Sequence, residues 1–281
     1  MDFSARDATF ADPALIADWA ALADAGWPAV ERRVIEVAGS APIRSDGSIG
    51  WIARFAHGVT RRANSVYPVR EIEDEDGAIA MVERWYGERG LPTTFQITDA
   101  DAALASRLLA RGYVADSETP LLAARLHTVA GALSSAGAPA SGTNATMSAE
   151  PDAEWLALWW EVDGRGGEPE LEVARRILTG GPALYATVRD ARGAASVGRL
   201  ALVEQNGVHW GGLYALATRP DARGRGHARA VIATLLEHAA RRGTTALWLQ
   251  VMASNVVARR LYDGLGFRQA TSYRYLSAPA G

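Results

Sequence analysis

The sequence has no cysteine among its 281 residues, so it can form no disulfide, no thiolate metal site and no thiol nucleophile. Lysine is missing too. All 29 basic residues are arginine, which excludes a P-loop, a Schiff-base lysine and lysine self-acetylation. No apolar run approaches the roughly 18 residues that a membrane-spanning helix needs. The start, "MDFSARDATFADP", is acidic and lacks the apolar core of a secretory leader, so the cytoplasm is the expected location. The five histidines are scattered without ligand spacing, and no metal is expected. A formal net charge of −3 exerts no global pull toward nucleic acid or anionic lipid.

What remains is an ordinary globular composition, 48% hydrophobic and 22% charged. The replacement of lysine by arginine, with abundant Ala and Gly, points to GC-rich codons and a high-GC bacterium. Residues 128–146, "TVAGALSSAGAPASGTNAT", are almost all small or turn-forming and read as a flexible linker. They divide the chain into an N-terminal lobe, 1–128, a linker, 129–143, and a C-terminal domain, 144–281.

In the C-terminal part, Trp155, Leu158, Trp159 and Val162 recur at helical spacing, which predicts a helix over 152–163. A short helix over 169–179 follows. The strands "ALYATV", "SVGRLALVEQ" and "VHWGGLYALAT" come next, the last two joined by the hairpin signal Asn206-Gly207. Helix 228–242, strand "ALWLQV", helix 255–263 and a last strand at "ATSYRYL" complete the order. A first strand is expected at 144–149. This is an α/β (α+β) layer fold with a mixed, mostly antiparallel sheet flanked by helices. The first half echoes it: a hairpin of "GWIARFA" and "VTRRANSVYPV", a helix at "AIAMVERWYGERG", a strand at "TTFQIT", a helix at "DAALASRLLARGY" and a strand at "TPLLAARL". The halves read as a diverged duplication.

The stretch "RPDARGRGHARAVIATLL", 219–236, concentrates arginine and glycine at the mouth of a helix. A helix start leaves backbone N–H groups unpaired, its dipole favours an anion, glycine admits close approach, and arginine clamps phosphate oxygens. Arg223, Gly224, Arg225, Gly226, His227 and Ala228 supply all of these and suit a pyrophosphate; the alternative is an exposed, arginine-rich loop.

The pattern Arg-x-x-Gly-x-Ala at 223–228 resembles the acyl-CoA pyrophosphate loop of the GNAT superfamily of N-acyltransferases. "NVVARRLYDGLGF", 255–267, is similar to that family's Asn-x-x-Ala-x-x-Leu-Tyr…Leu-Gly-Phe segment. The resemblance implies a tandem GNAT fold with a degenerate N-terminal copy, and acetyl-CoA as co-substrate. It implies that Leu216, Ala217 and Thr218 bond the pantetheine arm, that Asn255 and Arg259 hold the pantetheine, adenosine or phosphate side, and that Tyr262 protonates the leaving thiolate. Asn255 fits a helix cap equally, and Tyr262 an aromatic packed on Phe267. Many relatives place a glutamate on strand four where this chain has Gly212. That leaves Glu161, Asp163 or His209 as candidates for the base, each of which also reads as a surface or structural residue.

In the first half, the run Glu71, Glu73, Asp74, Glu75 stands where the cradle would be. It would repel a pyrophosphate, so one cofactor site is expected, in the second half; a solvated acidic loop is the plainer account. "GVTRRANSVYP", 58–68, resembles a segment of two-lobed actinobacterial GNAT proteins similar to N-acetylglutamate synthases. Strand alternation would put Thr60, Arg62 and Asn64 on one face. Arg62 and Asn64 could then hold a substrate carboxylate, or the strand is an edge with solvated arginines. The expected activity is direct transfer of acetyl from acetyl-CoA to a primary amine of a small molecule, possibly an amino acid such as glutamate. The alternatives are a protein lysine or N-terminal acetyltransferase and a non-catalytic acyl-CoA sensor. No nucleic-acid or membrane partner is expected, and the chain is a monomer or homodimer.

Overall fold

Asn206 and Gly207 adopt φ of 52° and 72°, the left-handed pair that closes a tight two-residue hairpin. The strands they join, Gly193–Gln205 and Val208–Thr218, form the centre of the C-terminal half. The computed structural model describes residues 19–35, 50–69, 72–135 and 145–279, with the Ser117 side chain left aside. In chain order the elements are α1 (Trp19–Gly26), β1 (Glu31–Ile35), β2 (Trp51–Phe55), β3 (Val66–Pro68), α2 (Glu75–Gly87), β4 (Thr94–Thr98), α3 (Ala102–Ala110), β5 (Val114–Arg125) and α4 (Leu126–Ser135). They continue with β6 (Ala145–Ser148), α5 (Ala153–Asp163), α6 (Glu168–Thr179), β7 (Ala183–Asp190), β8 (Gly193–Gln205), β9 (Val208–Thr218), α7 (His227–Ala240), β10 (Ala246–Gln250), α8 (Val256–Gly264) and β11 (Arg268–Ser277).

Local chemistry sets the helix starts. Asp152 accepts from the Trp155 amide at 2.8 Å and opens α5, whose Trp155, Leu158 and Trp159 are buried against β8 and β9. Each such side chain contributes roughly 1.5–3 kcal/mol of burial. Asp74 accepts from the Gly77 amide at 2.8 Å and opens α2.

All eleven strands belong to one sheet, in the order β1-β2-β3-β4-β11-β5-β10-β9-β8-β7-β6. Only β3/β4 and β9/β10 run parallel; the other pairs are antiparallel. The same succession, strand–helix–parallel strand–helix–strand, appears as β3-α2-β4-α3-β5 and again as β9-α7-β10-α8-β11. The last strands are exchanged: β5 lies between β10 and β11, and β11 between β4 and β5. Each half therefore completes its sheet with the other half's final strand.

Registers assign the two faces, because neighbouring partners across a ladder share a side. One face carries Arg54, Tyr67, Gln96, Tyr273, Trp248, Tyr214 and Arg199, and α1 and α5 pack over its β8–β9 part. The other holds the aliphatic clusters around Leu213, Leu249 and Val231 and around Val66, Phe95 and Ile79.

Three sequence expectations change. The helix Leu126–Ser135 runs into the expected linker as far as residue 135, and Val129 is fully buried against the α7 cluster, so composition alone misread the linker's first part. Residues 136–144 lie outside the described residues, as does Glu71. "VTRRANSVYPV" is not a continuous strand: His57, Gly58 and Thr60 have φ of 49°, 79° and 60°, residues 61–63 form a 3-10 turn, and only Val66–Pro68 pairs with β2. The alternation expected for Thr60, Arg62 and Asn64 fails with it. Neither α1 nor β1 was foreseen.

Candidate active site

Parallel pairing of β9 with β10 runs from Trp210↔Ala246 to Leu213↔Leu249 and stops. Beyond that point β10 follows β5, while β9 stays on β8 through a bulge between Arg199↔Tyr214 and Val197↔Ala217. Ala215, in the bulge, has φ 50°, a strained value for a residue with a side chain. The two strands part into a V. The Arg219 amide donates to the Ala195 carbonyl at 3.0 Å, so ladder alternation turns Ala217 toward β8 and Leu216 and Thr218 into the opening. Ser196 Oγ donates to the Ala217 carbonyl at 3.0 Å, which settles Ala217 on the β8 side. Of the three β9 residues expected to meet a ligand, two present main-chain groups to it.

The V leads to the arginine–glycine turn. Gly224 and Gly226 have φ of 75° and 82°, and a Cβ built on either would meet nothing within 4 Å. Gly226 caps α7 with no side chain, and the amides of Gly224, Arg225 and Gly226 have no partner among the described residues. The first-turn amides of His227, Ala228 and Arg229 face the same way without intrahelical acceptors. Arg225 is exposed and unpaired; Arg223 is exposed and donates from Nε to the Thr218 carbonyl at 3.3 Å. Both ring nitrogens of His227 are buried without a partner. Arg219 braces the turn, reaching Asp190 and Asp221 at 2.6 Å each. Asp190 is held below the usual carboxylate range, first by the Arg192 amide and then by Arg219; Asp221 is lowered chiefly by Arg219. An open floor of glycine, unpaired amides and two exposed guanidiniums fit a diphosphate.

On α8, Asn255 Oδ1 accepts from the Ala258 amide at 3.1 Å and so serves as the helix cap; Arg259 is half-buried without an ion pair. Tyr262 is buried, its ring edge-on to Phe267 at 5.8 Å, in the cluster that holds Leu213 and Leu249 at the vertex of the V. Its hydroxyl makes no hydrogen bond among the described residues, and burial pushes its pKa up to about 12.

Of the three base candidates, His209 stands apart from the V. His209 is exposed beside the Asn206-Gly207 turn, paired with Glu204, about 17 Å along β9 from Tyr214 at ~3.3 Å per residue. Glu161 and Asp163 are exposed at the end of α5. Gly212, where relatives place a carboxylate, gives up its side-chain volume to Trp248: a Cβ there would stand 2.3 Å from the indole.

Asn64 is also taken. Its Oδ1 accepts from the Ala56 and Gly58 amides at 2.7 and 3.0 Å, and its Nδ2 donates to the Val59 and Thr60 carbonyls at 2.8 Å each. It ties the 56–64 loop and has no capacity left for a ligand. Arg62 is different. Its guanidinium lies 5.6 Å from the Tyr214 ring and 5.8 Å from Trp27, beside Tyr273 and Tyr275, and its Nε is buried without a partner. In the first half Asp74 occupies with its own carboxylate the helix start that corresponds to the cradle, and Glu75 and Asp76 pair with Arg107.

Sequence reasoning missed Tyr214, Trp27, Trp248 and Arg199. The signal for Arg199 was there: a lone arginine inside the apolar run "SVGRLALV" is a buried charge that needs an explanation. A concavity of about 490 Å³ lined by Met147, Tyr185, His238 and Arg242 lies away from the V and includes none of its residues. Among the described residues no cluster of three or more His, Asp or Glu could hold a metal ion, and no helix is long and apolar enough to cross a membrane.

The chain is 26% identical over 258 residues to the uncharacterized N-acetyltransferase YobR of Bacillus subtilis, covering 90% of this chain and 95% of that protein. A 62-residue stretch is 42% identical to the [ribosomal protein bS18]-alanine N-acetyltransferase of Escherichia coli, 22% of this chain and 42% of that one. A tandem GNAT protein from the clavulanic acid biosynthesis pathway shares the fold at TM-score 0.63 and 13% identity, covering 93% of this chain and 88% of that one. The sequence model of the family described as "Probable histone acetyltransferase Rv0428c C-terminal" matches residues 18–276. With nearly the whole chain matched, this protein belongs to that family and is a GNAT-type acyltransferase with a tandem GNAT fold.

Proposed function

We propose that the chain transfers acetyl from acetyl-CoA to the primary amine of a small molecule by direct attack. GNAT acetyltransferases use acetyl-CoA. The observation that carries the reading is the V between β9 and β10, which is continuous with the glycine turn and into which the peptide groups of Leu216 and the amide of Thr218 point; the Thr218 carbonyl already accepts from Arg223. In this reading the amides from Gly224 to Ala228, with Arg223, Arg225 and His227, hold the diphosphate. Leu216 and Thr218 bond the pantetheine arm as an added strand would, and Arg259 neutralises a phosphate near the adenosine. Asn255 contributes by fixing the start of α8.

The chemistry asks little else of the chain. The amine nitrogen forms a bond to the thioester carbonyl carbon, the carbon–sulfur bond breaks, and sulfur takes the electron pair and a proton. A peptide N–H of the bulge faces the carbonyl oxygen as charge grows on it. Tyr262, kept protonated by burial, supplies the proton to sulfur. The amine must shed its own proton before attack, and no described carboxylate stands on β9 to take it, so water leading out of the opening carries it away. The finer likeness to N-acetylglutamate synthases rests on the segment 58–68 alone.

A protein N-terminus is the second reading, favoured by the local likeness to the bS18-alanine enzyme. Release of CoA thiol, measured with small amines and with N-terminal peptides in parallel, tests both. Turnover of small amines that falls about 10²-fold or more in Tyr262→Phe, with acetyl-CoA affinity by calorimetry unchanged, is the expected result. Turnover confined to peptides would replace the first reading by the second.

A further inference from the structure

The face of the sheet beneath α1 and the 57–64 loop carries buried polar atoms without partners, which native interiors rarely tolerate. Arg62 Nε, Arg199 Nη2, Gln96 Oε1 and both amide atoms of Gln250 are among them. Arg199 is fully buried; its Nε and Nη1 donate to the Leu178 and Gly26 carbonyls at 2.9 and 2.7 Å, and Nη2 is left over. Arg62 and Arg199 border one stacked aromatic pair. Trp27 and Tyr214 lie 5.3 Å apart, and each guanidinium is between 5.6 and 5.9 Å from both rings.

No carboxylate among the described residues answers these two charges. Neither arginine has an ion pair among the described residues. Asp24, the acid on α1, is already divided between Arg32 at 3.1 Å and Arg54 at 3.7 Å. Two guanidiniums with buried spare donors, and no anion for them among the described residues, make a site whose missing component is an anion. Its position is set by Tyr214: the next residue, Ala215, is the bulge that opens the V. An anion held between Arg62 and Arg199 would therefore lie next to the place where acetyl transfer occurs. Flat aromatic walls and forked N–H donors suit a carboxylate.

We infer that the acceptor is an amine carrying a carboxylate, with Arg62 Nε and Arg199 Nη2 as the donors that hold it beside Tyr214. The inference rests on the acetyl-transfer reading for the word acceptor, but the anion site stands on its own geometry. Arg62, whose guanidinium meets only the Tyr273 hydroxyl and no carboxylate among the described residues, is the residue to change; Arg199 also secures α1 and α6, so its loss would confound folding.

The test pairs free amino acids (the common L-series, β-alanine and γ-aminobutyrate) with their carboxamides, which differ only at the carboxylate. Calorimetry on CoA-saturated protein and CoA-thiol release on acetyl-CoA are both recorded. At least one acid should bind, or turn over, 100-fold or more better than its amide. Arg62→Gln should erase that preference without changing CoA affinity, and Arg62→Lys should restore part of it. Acids that bind in the CoA-loaded protein but are never acetylated would keep the anion site and sink the acetyl-transfer reading. Neutral amines acetylated as well as acids would keep that reading and overturn the inference. So would Arg62→Gln lowering acid and amide alike, or no acid binding at all.

Discussion

Gly212→Ala is the most exacting check on how the catalytic strand is packed. The added Cβ would lie 2.3, 2.6 and 2.7 Å from Cζ2, Cη2 and Cε2 of Trp248, far inside contact distance. Trp248 has nowhere to go. It is 1% exposed, packs edge-on to Trp210 and Tyr214 at 6.3 and 6.1 Å, and donates from Nε1 to the Tyr214 hydroxyl at 3.1 Å. Gly26 of α1 closes the other side, since a Cβ there would stand 2.6 Å from the same indole. Overpacking a sealed core costs roughly 1–3 kcal/mol, and the gain from replacing a strand glycine by alanine returns only about 0.5–1 kcal/mol. Three contacts below 3 Å put the cost in the upper half of that range, so the net loss of about 1–2.5 kcal/mol corresponds to a fall in Tm of roughly 2–10 °C. Thermal unfolding followed by circular dichroism reads it directly. In a Trp248→Leu background, where the clashing atoms are gone, the same substitution should cost nothing, a coupling that a double-mutant cycle exposes. If Gly212→Ala leaves Tm unchanged in the native background, or costs the same in both, the reasoning that glycine replaces the strand carboxylate to house Trp248 is wrong.

Asn64→Ala should destabilise by about 1–3 kcal/mol in urea unfolding, because it strands two amides and two carbonyls of a partly buried loop; a neutral result would return Asn64 to the ligand-binding candidates. Gly226→Ala forces a side chain into φ 82° at the start of α7. It should cost about 1–2 kcal/mol and weaken CoA binding in calorimetry, with no change expected from Gly90→Ala in the latter. Asp190 and Asp221 both sit below the ordinary aspartate value of 3.8, so their stabilisation is complete above that value and is lost as pH falls through their lowered values. Asp101, raised mainly by burial, works in the opposite sense. Asp190→Asn should accordingly flatten the acid limb of a Tm–pH curve, and Asp101→Asn should steepen it.

Much of the site could be read from the sequence because its chemistry is local. The spacing of Arg223, Gly224 and Gly226 before an aliphatic helix specifies a helix start with open amides, whatever surrounds it. The Asn206-Gly207 hairpin and the Asp152 and Asn255 caps are likewise short-range backbone choices, made within four residues. Segment 126–135 escaped because its small residues form a helix only when Val129 has a core to enter. Arg62 was picked out through a strand that does not exist; a 3-10 turn carries it instead.

The sequence by itself determined the order of elements from β2 onward except α4, the open helix start at the head of α7 and the family, since each depends on periodicity, turn chemistry or adjacent residues. Only the tertiary structure decided the exchange of β5 and β11 between halves, the filling of Gly212's space by Trp248 and the approach of Arg62 and Arg199 to one Trp27–Tyr214 pair. Those depend on which residues far apart in the chain come to share one sheet face. No local pattern encodes that, because the partner of each is chosen by packing.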